Sequence, residues 1–272
     1  RGLIRYLMRH RHSTPFEMVE FKFHCKMPIF VARQWVRHRT ANINEYSLRY
    51  SEARDEFYYP DPNHIEFQSA VNKQGRMGEV DEDLKKKVQA YFKEISDRSF
   101  EIYCELNEAG VARELARAVL PVNLYTEWYW KNDLHNLLHF IGLRSDGHAQ
   151  YEIRVFSDAM ASYVKKVAPF AWEAYQDYAV KGMRFSKIEQ SILQRKLPER
   201  VLNDIQDDIS YRLTASLHAN KPRDEKDLYP LYNQQGGTDS IEDFNLKWAS
   251  GEIEVGNVRE LREFNSKIAS LK

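Results

Sequence analysis

Apolar residues recur along this chain at two spacings, and the switches between them mark out its elements. Leu3, Ile4 and Leu7 share one side of a helix over residues 1–12. Thr14-Pro15-Phe16-Glu17 has the form of a capping box with Pro at the first helical position, and predicts a single turn. Val19, Phe21, Phe23 and Cys25 then alternate with Glu20, Lys22, His24 and Lys26, the period of a strand. Pro28 opens a helix over 28–38 that can pack Ile29, Val31, Ala32 and Trp35. Phe57-Tyr58-Tyr59-Pro60 is a short extended piece, and the Pro, Asn, Gly and charge of residues 61–80 read as a surface loop. The clearest helix spans 81–109, with Leu84, Val88, Tyr91, Ile95, Ile102 and Leu106 at helical spacing and Gly110 where a C-terminal cap belongs. A shorter helix over 111–119 stops at Pro121. Residues 124–131, rich in Tyr and Trp, predict a strand. Asn132 or Asp133 caps the next helix, which turns Leu134, Leu137, Leu138 and Ile141 inward and ends within 143–150. Another helix runs to about Val167 and is broken by Pro169; residues 170–181 are aromatic-rich and helical.

Ser186-x-x-Glu189 predicts a capping box for a helix through Leu197, with more helix to about 219. Pro222, Pro230, Gly236 and Gly237 punctuate a loop over 220–238, and Val258, Leu261, Phe264 and Ile268 predict a last short amphipathic helix. Strands and helices intermixed in this order give an α/β (α+β) fold in two parts, 1–182 and a mainly helical extension, 183–272. The extension reads as a packing or assembly appendage.

One stretch breaks the amphipathic pattern. Between Arg37 and Glu45 only Ala41 and Ile43 are aliphatic, while Arg37, Arg39, Arg49 and Arg54 surround His38, Asn42, Asn44 and Ser47. This predicts a helix end running into a polar loop. Clustered guanidinium forks suit phosphate and carboxylate ligands, so the stretch reads as an anion site for a nucleotide. The chain as a whole is balanced: Lys+Arg and Asp+Glu are 40 each over 272 residues. Zero net charge excludes a general nucleic-acid or membrane-surface binder. No apolar run approaches the ~20 residues that span a bilayer. Cys25 and Cys104, in unrelated contexts, fit a reducing cytoplasm and offer no disulfide framework. The chain opens on Arg1 without Met and shows no signal peptide, so an N-terminal part is expected to be missing.

Arg37-His38-Arg39, seven residues and then Ser47 resemble the signature of the flavin-dependent thymidylate synthases. Gln34, Asn44, Glu45, Arg49 and Tyr50 fit the same pattern; His12, Thr14 and Glu17 match its His-x-Thr-Pro-Phe-Glu segment; and Arg144 followed by His148-Ala149-Gln150 resembles a second signature. The resemblance covers residues 1–182 and implies a family-specific fold, a mixed sheet flanked by helices. The chain contains no Gly-x-Gly-x-x-Gly, so the fold is not Rossmann. It implies an enzyme that converts dUMP to dTMP, taking carbon from methylenetetrahydrofolate and a hydride from FAD reduced by NADPH. Active sites would form between subunits of a homotetramer.

By the same resemblance, FAD is held by Thr14, Arg37, His38, Arg39 and Glu45, with Asp133, Leu134, His135 and His139, and His12 lies on the folate and flavin side. The family pattern has Asn, Arg and Asn at Asp133, His135 and His139; losing that Arg removes a permanent charge. The nucleotide is met by Gln34, Arg37, Glu45, Ser47, Leu48 (through its N–H), Arg49 and Arg117. Without the resemblance, Arg113 and Arg117 read as a solvated basic face. Arg144 would polarise the pyrimidine, replacing the cysteine nucleophile of other thymidylate synthases, so that Cys25 stays inert.

Two rival readings stand beside this one. His135 and His139, at i and i+4, with His148 could hold zinc in a hydrolase, although Asn136 stands where a zinc protease has glutamate. The Arg33–Arg54 cluster could bind RNA or DNA, against which neutral net charge counts. The reading adopted has no metal, no nucleic acid and no membrane.

Overall fold

The structure, a computed structural model, describes residues 1–70, 75–196 and Lys267. The chain divides into two units, Leu7–Lys181 and a second made of Arg1–Tyr6 with Gly182–Lys272. Helix α1 (Gly2–Arg9) is shorter than the residues 1–12 the periodicity suggests. It ends where Arg11 takes a left-handed backbone, φ 59°, and the His12 N–H closes onto the Leu7 carbonyl at 2.9 Å. The expected single turn is α2 (Thr14–Glu17), which buries Phe16.

The first unit is built on strand β1 (Glu20–Pro28), which leads directly into α3 (Ile29–Trp35). The arginine-rich stretch is not wholly a loop: Asn42–Glu45 forms strand β2. Its side chains are exposed, so no alternation betrays it; the backbone ladder to a neighbouring strand makes it. The expected loop over 61–80 likewise holds a hairpin, β3 (Glu66–Gln68) with β4 (Arg76–Glu79), for the same reason.

Helix α4 (Glu82–Glu108) is capped by Asp81, whose carboxylate accepts the Leu84 N–H, and ends at Gly110 with φ 80°. Of its apolar stripe, Leu84, Tyr91 and Ile95 remain exposed, while Tyr103 is buried. The short α5 (Arg113–Ala116) follows, then β5 (Tyr125–Asp133), α6 (Leu134–Arg144), α7 (Tyr151–Val167) and α8 (Pro169–Tyr175). A π-helical turn, Gln176–Val180, closes the unit.

The main sheet has the order β1-β5-β2. The fold is α+β, but every ladder among the described residues is antiparallel, where a mixed sheet was the expectation. Cys25 faces Trp128 and Phe23 faces Trp130, so one sheet face is apolar. Trp35 from α3 fills that face: its ring lies 5.6 Å from Trp128, 5.4 Å from Trp130 and 5.0 Å from Phe140 of α6. All four rings are essentially inaccessible, and burial of this size stabilises by several kcal/mol in total, about 1.5–3 per ring from area alone. The opposite face carries Glu20, Lys22, His24 and Lys26, as the alternation predicts.

In the second unit, α9 (Lys187–Lys196) begins with the expected capping box: the Ser186 N–H donates to Glu189 at 2.6 Å, and the Glu189 N–H to Ser186 Oγ at 3.3 Å. The helix, loop and final amphipathic helix expected beyond residue 196 lie outside the described residues, except that Lys267 is helical. Among the described residues no helix is long and apolar enough to cross a membrane.

Candidate active site

The core aromatic cluster ends at a histidine and an arginine. The chain leaves α3 at Trp35, and the His38 N–H turns back to the Trp35 carbonyl at 2.9 Å. This places the His38 imidazole edge-on to Phe140, 4.9 Å between ring centres. One turn further along α6, Arg144 donates its Nε–H to His38 Nε2 at 2.9 Å. Arginine has only donors, so His38 is the acceptor: a neutral imidazole with its proton on Nδ1. Burial, then the charge of Arg144 and the nearby His139, push His38 down to about 4. Burial also works against the charge of Arg144, whose guanidinium nonetheless stays cationic. Its two Nη groups have no partner among the described residues. Two contacts hold the end of α6 in place: Ser145 Oγ lies 2.9 Å from the fully buried Ser157 Oγ of α7, and Gly142 sits under the Tyr175 ring.

A second group forms where the 45–54 segment meets α5. Arg49 Nη2 donates to Glu114 at 2.8 Å; Arg113 Nη2 donates to Glu52 at 2.8 Å and its Nη1 to the Tyr50 carbonyl. The buried Tyr103 hydroxyl accepts the Ala53 N–H at 2.9 Å. Ser47 is half-buried with its Oγ accepting the Arg49 N–H; Leu48 is half-buried beside it. Arg117 is half-buried and makes no ion pair among the described residues. The shared basic face read for Arg113 and Arg117 is therefore split: Arg113 braces the loop, and Arg117 keeps its donors. Glu45, at the end of β2, accepts from Thr126 Oγ1 at 2.6 Å.

The remaining predicted residues are placed as follows. Arg37 and Arg39 flank His38, exposed and without a partner among the described residues. Gln34 is half-buried, and its Oε1 is a buried acceptor with no donor, which an incoming N–H would satisfy. His12 and Thr14 are exposed around α2. His139 is exposed, its ring centre 6.3 Å from that of His38, and His135 is exposed one turn earlier. Two members of the set have structural duties instead. Asp133 caps α6, accepting the Asn136 N–H at 2.8 Å and its Nδ2 at 2.7 Å. Leu134 is 2% exposed, and its N–H donates to the Val19 carbonyl, so its side chain belongs to the core.

A cavity of about 670 Å³ lies elsewhere, between the β3–β4 hairpin, α4 and the start of α7. Of the motif residues it touches only Gln150. Its polar wall is Glu152, which accepts from Arg76 at 2.7 Å and Tyr58 at 2.8 Å. Burial pushes the Glu152 carboxyl up, but these donors outweigh it and hold the group below its ordinary range. No sequence signal marks this cluster, since its three members are far apart in the chain. Cys25 is buried and its thiol is pushed up to about 11; burial also raises Cys104. Neither sits where a thiolate forms at neutral pH. Among the described residues no three His, Cys, Asp or Glu side chains converge as a metal site. His148 pairs with Asp146 at 2.8 Å, away from any second histidine ligand.

Residues 1–170 match the family model of the thymidylate synthase complementing protein. A flavin-dependent thymidylate synthase of Rickettsia conorii is 48% identical over 221 residues, covering 76% of this chain and 75% of the relative. That of Ruegeria pomeroyi is 52% identical over 200 residues, 72% of this chain and 66% of the relative. The crystal structure of a UMP/dUMP methylase from Streptomyces cacaoi bound with 5-Br UMP superposes with a TM-score of 0.61 at 36% identity, covering 64% of this chain and 80% of that one. Another, bound with 5-Br dUMP, gives 0.60. With its Arg37-His38-Arg39 and Arg144 elements brought together by one hydrogen bond, the chain belongs to the thymidylate synthase complementing protein family, that of the flavin-dependent thymidylate synthases.

Proposed function

We propose that the protein methylates dUMP to dTMP, with methylenetetrahydrofolate as carbon donor and FAD, reduced by NADPH, as hydride source. The observation that carries this reading is Arg144: buried at its base, held on His38, with two Nη donors uncommitted. The residues around it fit a phosphate-bearing flavin and a nucleotide. Arg37, Arg39 and Arg117 have unused guanidinium donors, and Gln34 Oε1 is a buried acceptor awaiting a donor. FAD, when bound, supplies the hydride.

The chain's own residues then do three things. Ser47, Arg49 and Arg117, with the Leu48 N–H, grip the nucleotide phosphate. Gln34, Arg37 and Glu45 orient the nucleotide, and His12, Thr14, Arg37, His38, Arg39, Glu45 and His139 line the flavin and folate side. His135 belongs to that side too, while Asp133 and Leu134 contribute by holding α6 rather than by side-chain contact. Arg144 stabilises the negative charge that builds on the pyrimidine as C5 becomes nucleophilic, worth about 3–4 kcal/mol for one well-placed donor. No sulfur is needed, consistent with the high-pKa Cys25.

The protein acts as a homotetramer in the cytoplasm, with each site shared between subunits. The uncommitted arginines on separate helix ends support this sharing. Residues 1–182 form the synthase domain and 183–272 an assembly appendage.

The purified protein should be yellow and oxidise NADPH faster when dUMP is present. A colourless protein that takes up no FAD sinks the reading. Arg144→Ala should abolish dTMP formation while FAD stays bound; continued synthesis removes Arg144 from its role.

A further inference from the structure

We propose that His38 is the positioning residue of Arg144: through Nε2 it accepts the Arg144 Nε–H, and so aims the Nη edge of the guanidinium at the pyrimidine. This rests on the reading of Arg144 given above.

A guanidinium on a long side chain has about 2 kcal/mol of rotamer entropy to lose, and a misplacement of about 1 Å in a catalytic group can cost 10²-fold in rate. Arg144 stands at the last turn of α6, where helix ends fray, so something must hold it. Among the described residues its one side-chain partner is His38, at 2.9 Å. The contact point matters. Accepting at Nε rather than at Nη leaves both Nη groups, and therefore the bidentate edge, open for a ligand. His38 is itself fixed on three sides: its N–H on the Trp35 carbonyl, its ring against Phe140, and His139 next to it. Trp35 also stacks on Phe140 at 5.0 Å. The arginine is thus tied through one imidazole to the most rigid part of the fold.

The arrangement needs a lone pair on Nε2, so His38 has to stay neutral. Arg144 and His139 on α6, with Arg37 and Arg39 on its own segment, all add positive charge around it. They keep the proton off and the acceptor available. A lysine or arginine here could not serve, having no acceptor.

The test compares FAD-loaded His38→Leu and His38→Gln, with and without Arg144→Ala. Glutamine can offer Oε1 near the Nε2 position. His38→Leu is expected to lower kcat by 10- to 100-fold, the order of loss from a displaced catalytic group. His38→Gln is expected to recover most of that. Binding of dUMP, read from the change it makes in the flavin absorption spectrum, should weaken in His38→Leu. It should weaken no further when His38→Leu is added to Arg144→Ala. If the two losses simply add, or if His38→Leu retains full kcat, the positioning role is overturned while Arg144 keeps its own. If His38→Leu loses its FAD, His38 holds the cofactor and not Arg144, and the proposal also falls. If Arg144→Ala still makes dTMP, both readings fall together.

Discussion

The hydroxyl of Tyr175 lies 2.8 Å from the point a Cβ on Gly142 would occupy, and it has no hydrogen-bond partner. Gly142 is helical and two residues before Arg144, so the approach of α8 onto α6 sets where the arginine's turn ends. Burial pushes the Tyr175 hydroxyl up to about 12, so it stays a neutral phenol. Gly142→Ala should therefore force a shift at the end of α6 and destabilise by about 1–3 kcal/mol. Tyr175→Phe removes the clashing oxygen and leaves ring carbon at 3.9 Å, ordinary contact. In that background Gly142→Ala should turn neutral or stabilising, since alanine is favoured over glycine in a helix by about 1 kcal/mol. Urea unfolding of the four proteins checks this; equal cost of Gly142→Ala in both backgrounds would refute the steric account.

Acid should weaken the protein in two stages. His38 is depressed from 6.5 to about 4, so the native state refuses a proton that the unfolded chain accepts. The stability it contributes is complete above 6.5 and drains away as the pH falls to about 4. Glu152, also held below its ordinary value, adds a loss that begins only below 4.5. Urea midpoints between pH 7 and pH 5, in the upper stage, should fall less in His38→Gln than in the parent. An identical fall in both means that His38 is not the group titrating.

The ion pair of Arg49 with Glu114 is easily exchanged for a phosphate. Both side chains are more than half exposed, and such pairs contribute about 0–1 kcal/mol. A guanidinium–phosphate bond contributes more, so Arg49→Ala and Arg117→Ala should each raise the KM for dUMP roughly 10-fold or more, at about 1.5–3 kcal/mol per charged hydrogen bond. FAD content should be retained. A loss of kcat alone, with KM intact, argues that neither grips the phosphate.

Cys25→Ala and Cys104→Ala should both make dTMP at the parent rate. Cys25 is 6% exposed against Trp128, so its variant should lose about 1 kcal/mol of stability, the cost of one buried heavy atom. An inactive but folded Cys25→Ala protein brings back a covalent nucleophile.

Removing Glu152 leaves Arg76 with an unpaired, partly buried charge and Tyr58 without its acceptor. Glu152→Ala should cost about 3–5 kcal/mol, as breaking buried pairs does. Thermal unfolding measures it; a change within 0.5 kcal/mol, typical of surface substitutions, would show that the cluster bears no weight.

Local chemistry decided much of this protein before any packing was known. The alternation from Val19 to Lys26, the capping residues Asp81, Asp133 and Ser186, and the stop at Gly110 are short-range effects, and each appears where its residues dictate. The anion-binding character of the 34–54 stretch was likewise legible, because guanidinium groups cannot be buried in bulk and must serve a ligand or solvent. Strand β2 and the β3–β4 hairpin were not legible: their side chains are exposed, and only hydrogen bonds to strands elsewhere make them strands. Nor could the sequence tell that Asp133 and Leu134 are spent on capping and core while Arg117 keeps its donors free. Above all, the bond between His38 and Arg144 joins residues 106 positions apart, and only the tertiary packing of Trp35 against Phe140 brings them within reach.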